Sequence, residues 1–321
     1  MDALVNADNF TRAETHRMFA DIQADAGGVG VFRHNREPAS IDEQTVIRLN
    51  RDTLYSFAVV DLAEPAWLTL PDAGDRYMSV MVVNEDHFIN EILHDRGRHQ
   101  LTRERCGSRY AMVGARTLVD PLDPVDVAAV RALQDEIVLE TGSSEPFASP
   151  AYDESSLDRT RQSLLDLARG LTGFERSFGA RDEVDPVRHL IATAAGWGGL
   201  PTSEASYVGV DPGLPPGSHD LTLGNVPVDA FWSVSVYNAD GFFEPNARNL
   251  YSVNSVTGVR NGDGSTTVRF RADADGDVPP NCIVTPTGWN YLIRLYRPRA
   301  EYLDGTWTVP SLVPADADTA T

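Results

Sequence analysis

The chain has 321 residues, a formal net charge of −20 and a hydrophobic fraction of 42%. That length exceeds what one hydrophobic core usually supports, so two domains are expected. The acidity argues against nucleic-acid binding, which needs cationic surface to displace counterions, and against anionic membranes. All 27 basic residues are arginine, which excludes a Schiff-base lysine and a Walker-type phosphate loop.

Cys106 and Cys282 are the two cysteines, too few for a disulfide framework. Met1 to Phe10 lacks the cationic head and apolar core of a signal peptide, and no apolar run approaches membrane-spanning length. The expectation is a cytoplasmic protein without nucleic-acid or membrane partners.

In chain order, a helix is predicted over 7–24, with Asn6 as cap, Phe10, Ala13, Met18 and Ile22 on one stripe, and Gly27-Gly28 as stop. The period then changes to two. Leu54, Ser56, Ala58, Val60 and Leu62 fall on one strand face, with Tyr55, Phe57 and Val59 on the other. Tyr77 to Val83 is an apolar run that reads as a strand covered on both faces, and Tyr110 to Val113 is another. Pro71-Asp72-Ala73-Gly74 has turn chemistry.

Asp123-Pro124 is a cap and first-turn pair for a helix carrying Val127, Val130, Leu133 and Ile137. A second helix is predicted from Ser155, with Gly170 as stop. A third starts at Asp185-Pro186 and ends at Gly196-Trp197-Gly198-Gly199. Strands return at 231–237, 266–271 and 291–296, and Asn261-Gly262-Asp263-Gly264 looks like a hairpin tip. The tail from Ala315 is expected to fray.

No G-x-S-x-G, H-E-x-x-H or C-x-x-C motif occurs, and Gly28-Val29-Gly30 lacks the frame of a dinucleotide site. Asp273, Asp275 and Asp277 resemble the opening of a calcium loop. Val278 and Val284 stand where glycine and a bidentate glutamate belong, so a solvated turn is expected. The densest ionisable segment runs from Asn84-Glu85-Asp86-His87 through Asn90-Glu91 and His94-Asp95 to His99. It could place an Asp–His pair for acid–base work or ligate a divalent metal, or it could be a polar loop.

Asn50-Arg51-Asp52-Thr53 introduces the first strand. These residues could bond their own backbone, with Arg51 paired to a carboxylate, or they could line a site, since polar groups beside a buried run must be satisfied. Arg294 sits inside a predicted central strand. There it needs partners, either a structural ion pair with Asp229 or Asp240, or an anion ligand. Trp232 and Tyr237 project to opposite faces of their strand, with Trp232, Val234 and Val236 as core.

Asn50-Arg51-Asp52-Thr53-Leu54-Tyr55-Ser56, Asp61-Leu62 and Asp75-Arg76-Tyr77 resemble the signature of domain-of-unknown-function family 1254. Phe231 to Asn238, Asn249-Leu250-Tyr251-Ser252, Asp263-Gly264-Ser265 and Arg294-Leu295-Tyr296-Arg297-Pro298 resemble the partner family 1214, as does the ending Leu303-Asp304-Gly305-Thr306-Trp307. The resemblance implies two jelly-roll-like β-sandwich lobes with a helical connection, commonly oligomeric, with a hydrolase-like label. Two positions depart from the family pattern. Asn281-Cys282-Ile283-Val284 replaces an Asn-Trp-Leu-Pro run, and Arg51 stands where Asn is expected.

The combined expectation is a mainly β chain of two jelly-roll-like β-sandwich lobes with an N-terminal helix and a helical connector, divided at 1–120, 121–200 and 201–321. The leading functional expectation is a hydrolase for a small molecule or carbohydrate. Asp52, Asp86 and His87 would be catalytic, and Asn50, Arg51, Tyr55, Tyr237 and Arg294 would bind substrate. A divalent metal is the candidate cofactor, with no signal for nucleotide, flavin or haem. The alternative is a non-catalytic, homo-oligomeric sandwich that binds a carbohydrate or a partner.

Overall fold

The computed structural model describes residues 2–44, 47–169, 171, 173–273 and 276–315. Gly170, Asp275 and the tail from 316 onward, each singled out above, lie outside the described residues. The chain divides into two compact units, each with its own core. Unit 1 comprises 1–36, 53–119 and 123–202, and unit 2 comprises 37–52, 120–122 and 203–321.

Unit 1 contains α1 (Phe10–Ala26), β1 (Arg33–His34), β2 (Thr53–Leu70), β3 (Met78–Asn84), β4 (Ile89–Leu93), β5 (Gly97–Leu101), α2 (Arg103–Cys106), β6 (Tyr110–Leu118), α3 (Pro124–Asp135), β7 (Val138–Ser143), α4 (Glu154–Ala168) and α5 (Pro186–Gly196). Asn9, not Asn6, occupies the N-cap position of helix α1, without a side-chain cap bond, and the helix closes on Gly27 in the left-handed region at φ 83°. Its buried stripe keeps Phe10 and Ala13 but continues through Phe19 in place of Met18 and Ile22. Asp123, Asp153 and Asp185 cap α3, α4 and α5 by accepting first-turn amides. Of residues 121–200, read from the sequence as a connector, 123–200 fall within unit 1 and 121–122 within unit 2, and β7 pairs with β2.

The sheet of unit 1 has seven strands, ordered β1-β2-β6-β3-β4, with β5 and β7 also pairing β2. One strand takes this many partners because it is 18 residues long and changes neighbours along its length. Residues 53–61 pair with β6, and 66–70 pair with β5 and β7. The expected alternation shows over 54–58, where Leu54, Ser56 and Ala58 are buried and Tyr55 and Phe57 half-buried, while Val59, expected on the second face, is buried like Val60 and Leu62. Val60, Leu62, Leu68, Val80, Val82 and Val113 build the core between the two halves.

Asp61 clasps the point where β2 changes partners. Its carboxylate accepts from Arg109 Nε and Nη2 at 2.9 and 3.0 Å, Ser143 Oγ at 2.5 Å and the Ala63 amide at 3.0 Å. The Arg109 bonds, chiefly, hold its pKa well below the usual carboxylate range against desolvation.

Unit 2 contains β8 (Ala205–Val210), β9 (His219–Leu223), β10 (Trp232–Tyr237), β11 (Ser252–Asn254), β12 (Thr266–Arg271), β13 (Cys282–Val284), β14 (Asn290–Tyr296), α6 (Ala300–Leu303) and β15 (Val313–Pro314). These form two four-stranded sheets, β11-β10-β14-β8 and β13-β12-β9-β15. Trp232, Val234, Val236 and Ile293 of the first sheet meet Leu221, Val268, Phe270 and Ile283 of the second, as a sandwich requires. The turn at Asn261 to Gly264 forms, but it does not join a hairpin. Strands β11 and β12, on either side of it, belong to different sheets. Among the described residues, no helix is long and apolar enough to cross a membrane.

Asp61 makes a test of the clasp in unit 1. A carboxylate whose pKa is depressed on folding contributes stability above its unfolded value near 4, and that contribution is lost as pH falls. Asp61→Asn should cost about 1.5–3 kcal/mol at pH 7. In urea unfolding, the gap between wild type and variant should narrow from pH 5 to pH 3.

Candidate functional site: a polar face and cleft in unit 2

Side chains alternate along a strand. With Trp232, Val234 and Val236 in the sandwich core, Ser233, Ser235 and Tyr237 face the other way. The register sets Ser233 opposite both Arg294 of β14 and Asn254 of β11. It also sets Arg294 opposite Tyr207 of β8. Ile41 and Leu49, from the segment before β2, cover this face by packing with Tyr237, Phe243, Tyr251 and Leu292.

Arg294 is 2% exposed. Its Nη1 donates to Ser235 Oγ at 2.9 Å. Its Nη2 donates to the carbonyls of Arg48 and Leu49 at 2.8 and 3.2 Å and to the Tyr237 hydroxyl at 2.8 Å. Tyr237 in turn donates to the Leu49 carbonyl at 2.8 Å. The ion pair expected with Asp229 or Asp240 is not made. Asp229 lies 3.9 Å from Arg299, and Asp240 sits in the turn organised by Asn238. Carbonyl and hydroxyl dipoles solvate the guanidinium instead. Burial opposes its charge, yet the surrounding tyrosines and Asp52 carry its pKa above the ordinary arginine value.

The anchored segment brings in Asn50, Arg51 and Asp52. Asn50 accepts the Asp52 amide on Oδ1 at 2.9 Å, the local turn expected from sequence, and donates to the Tyr296 hydroxyl at 3.1 Å. Arg51 reaches the Ala39 carbonyl and lies 5.7 Å over the Tyr251 ring, in place of the expected carboxylate. Asp52 is 1% exposed, and neither of its carboxylate oxygens has a hydrogen-bond partner. Burial pushes its pKa above the usual carboxylate range. The Arg294 charge and the nearby Ser233 and Asn254 side chains oppose that shift without reaching hydrogen-bond geometry.

Beside this cluster opens a cleft of about 260 Å³, lined by Arg51, Asp120, Leu122, Asn249, Tyr251, Ser252, Asn254, Thr257, Asn281, Cys282 and neighbours. Asn254 forms both a wall of this cleft and a flank of Asp52. Its Oδ1 is already engaged by the amides of Val256 and Thr257. Cys282 is buried, which raises its thiol pKa. Arg51 and Cys282, which stand where the family pattern has Asn and Trp, thus line the same cleft.

The remaining candidates, Tyr55, Asp86 and His87, belong to unit 1. Tyr55 lies on β2, its ring stacked on Phe57 at 5.6 Å and under the Arg116 guanidinium. Asp86 and His87 are sequence neighbours whose side chains part. Asp86 forms a bidentate pair with Arg12 at 2.7 and 2.6 Å. His87 is fully buried, with Nδ1 2.9 Å from Thr193 Oγ1, while Nε2 accepts the Gly198 amide at 2.9 Å. Thr193 gives its own proton to the His189 carbonyl, so His87 is neutral with its proton on Nδ1. The expected Asp86–His87 acid–base pair is therefore not formed. Among the described residues, no group of three or more His, Cys, Asp or Glu could hold a metal ion.

Sequence reading missed one further constellation in unit 1. The His16 ring lies between Glu85 Oε2, 3.2 Å from Nε2, and the Tyr152 hydroxyl, 3.0 Å from Nδ1. These residues come from three distant segments, and no local spacing announces the relay.

His87 gives a pH signature. Burial, reinforced by His189, lowers its pKa well below the ordinary 6.5. A histidine kept neutral by folding stabilises fully above its unfolded pKa, and that contribution is lost as pH falls below it. The melting temperature of wild type should drop between pH 7 and pH 5. His87→Gln should be less stable at pH 7 and show a shallower decline.

Two crystal structures share this architecture. The VPA0106 protein from Vibrio parahaemolyticus superposes with a TM-score of 0.75 at 17% identity, over 97% of this chain and 98% of that one. An uncharacterized protein from Burkholderia cenocepacia gives 0.54 at 15% identity, over 96% and 87%. No curated protein matches the chain. Residues 29–87 match the family described as protein of unknown function (DUF1254) and residues 216–300 that described as protein of unknown function (DUF1214), so the chain carries both segments in the expected order.

Proposed function

We propose that the chain binds a small polar ligand in the cleft of unit 2. The cleft itself carries this reading. At about 260 Å³ it lies just below the ordinary range of ligand pockets, a size suited to a monosaccharide. Its lining mixes the polar Arg51, Asn249, Ser252 and Thr257 with the apolar Leu122 and Tyr251, the combination that orients a ligand while burying it. A net charge of −20 favours a neutral ligand over a polyanion. Leu122 is 54% exposed, so Leu122→Trp narrows the cleft without disturbing a core. Titration calorimetry with neutral monosaccharides should show saturable binding, weakened at least tenfold in Leu122→Trp at an unchanged melting temperature. Failure of every sugar to bind, or equal binding by the variant, would contradict the proposal.

A second reading, catalysis, is favoured by the relay in unit 1. A carboxylate–imidazole–phenol chain is the arrangement that moves a proton to or from a tyrosine hydroxyl. If it serves a hydrolase, the protein should turn over p-nitrophenyl acetate and Tyr152→Phe should abolish the activity while remaining folded. Turnover that survives in Tyr152→Phe would dismiss this reading.

A further inference from the structure

Three buried oxygens lie close together, Ser233 flanking Asp52. Asp52 Oδ1 and Oδ2 and Ser233 Oγ all lack hydrogen-bond partners, on residues 1% and 0% exposed. An unsatisfied buried polar atom is costly, and an ionised one more so. Native proteins rarely keep such groups together without something to meet them. Two side chains neighbour these oxygens: Arg51, adjacent in sequence to Asp52, and Asn254, directly across from Ser233 on β11. Both line the cleft.

Arg51 is held there weakly, by one backbone carbonyl and one aromatic face. Among the described residues no ion pair fixes it, and burial disfavours its charge. A swing of its side chain away from the Ala39 carbonyl would be needed to expose Asp52, which is 1% exposed, to the cleft.

The charges select what can enter. Arg294 acts on Asp52 electrostatically, so an incoming cation meets a carboxylate already compensated. An anion meets Asp52 itself. A neutral group that donates hydrogen bonds suits both. A carboxylate accepts from two adjacent hydroxyls at once, the geometry of a vicinal diol.

Resting on the cleft as the binding site, we propose that its ligand is a neutral polyol or monosaccharide recognised by a pair of hydroxyls donating to Asp52, with Ser233 as the third contact and Arg51 as the movable gate. Asp52 and Ser233 thereby set the specificity of the site, and the outer lining of the cleft supplies its shape.

The test is calorimetric titration of the full chain with glucose, galactose, mannose and myo-inositol, together with monodeoxy analogues of the sugars. Wild type, Asp52→Asn, Ser233→Ala and Leu122→Trp are compared, with melting curves as the folding control. Loss of a hydrogen bond to a charged group corresponds to about a 10- to 100-fold change in affinity. That loss is expected for Asp52→Asn, and a smaller one for Ser233→Ala. The deoxy analogue lacking a recognised hydroxyl should bind wild type correspondingly more weakly, yet lose nothing further in Asp52→Asn. A merely structural role for Asp52 would not produce this non-additivity. If Leu122→Trp blocks binding while Asp52→Asn and Ser233→Ala bind as wild type, the role of Asp52 is overturned and the cleft stands. Absence of binding by every polyol and sugar overturns both. Should Asp52→Asn fail to fold, Ser233→Ala and the deoxy series decide the matter.

Discussion

The architecture of unit 2 depends on a buried guanidinium that has no carboxylate bonded to it. Arg294 lies in the middle of β14, where an unsolvated charge would be prohibitive. Its solvation comes from the backbone of another segment, through the carbonyls of Arg48 and Leu49, with the hydroxyls of Ser235 and Tyr237 completing the shell. Because those carbonyls belong to the segment preceding β2, satisfying the arginine also lays that segment across the sheet. Apolar contacts of Ile41 and Leu49 with Tyr237 and Phe243 reinforce the placement.

Everything distinctive about the candidate site follows from that attachment. Once residues 48 and 49 are fixed, the Asn50 turn directs Asp52 inward, beneath Arg51, and Asp52 lands beside the Ser233–Asn254 row. A carboxylate there is desolvated but sits within the field of the same arginine that anchored the strap. Arg294 therefore acts twice: it fixes the covering segment mechanically, and it moderates the cost of the acid that the segment carries. Tyr237, expected to touch substrate, is instead part of the anchor, its hydroxyl fully used between Arg294 and Leu49.

Much of the framework was legible in the sequence. Asp-Pro pairs marked the starts of α3 and α5 because the cap carboxylate and the fixed proline φ are local devices. Alternation identified β2, and odd spacing separated Trp232 from Tyr237. The length of β2 was not legible, since the alternation was followed only to Leu62; the strand continues past Ala63-Glu64-Pro65 by taking new partners on β5 and β7. Arg294 was recognised as a residue in need of partners, but the natural guess was an acidic side chain. Backbone carbonyls have no sequence signature, so the true solution lay beyond pattern. Asp86 and His87 failed as a pair for a related reason. Adjacency in sequence does not fix side-chain direction, and His87, with a left-handed φ of 62°, turns inward while Asp86 turns to Arg12. The Glu85–His16–Tyr152 relay draws on separations of 69 and 136 residues, which no window-based reading connects.

Amide hydrogen exchange over residues 47–52, compared between wild type and Arg294→Met, tests the dependence most directly. The account predicts strong protection of this segment in wild type and rapid exchange in the variant, with β9 and β12 in the opposite sheet still protected. Fast exchange of 47–52 in wild type, or protection that survives loss of the guanidinium, would contradict it.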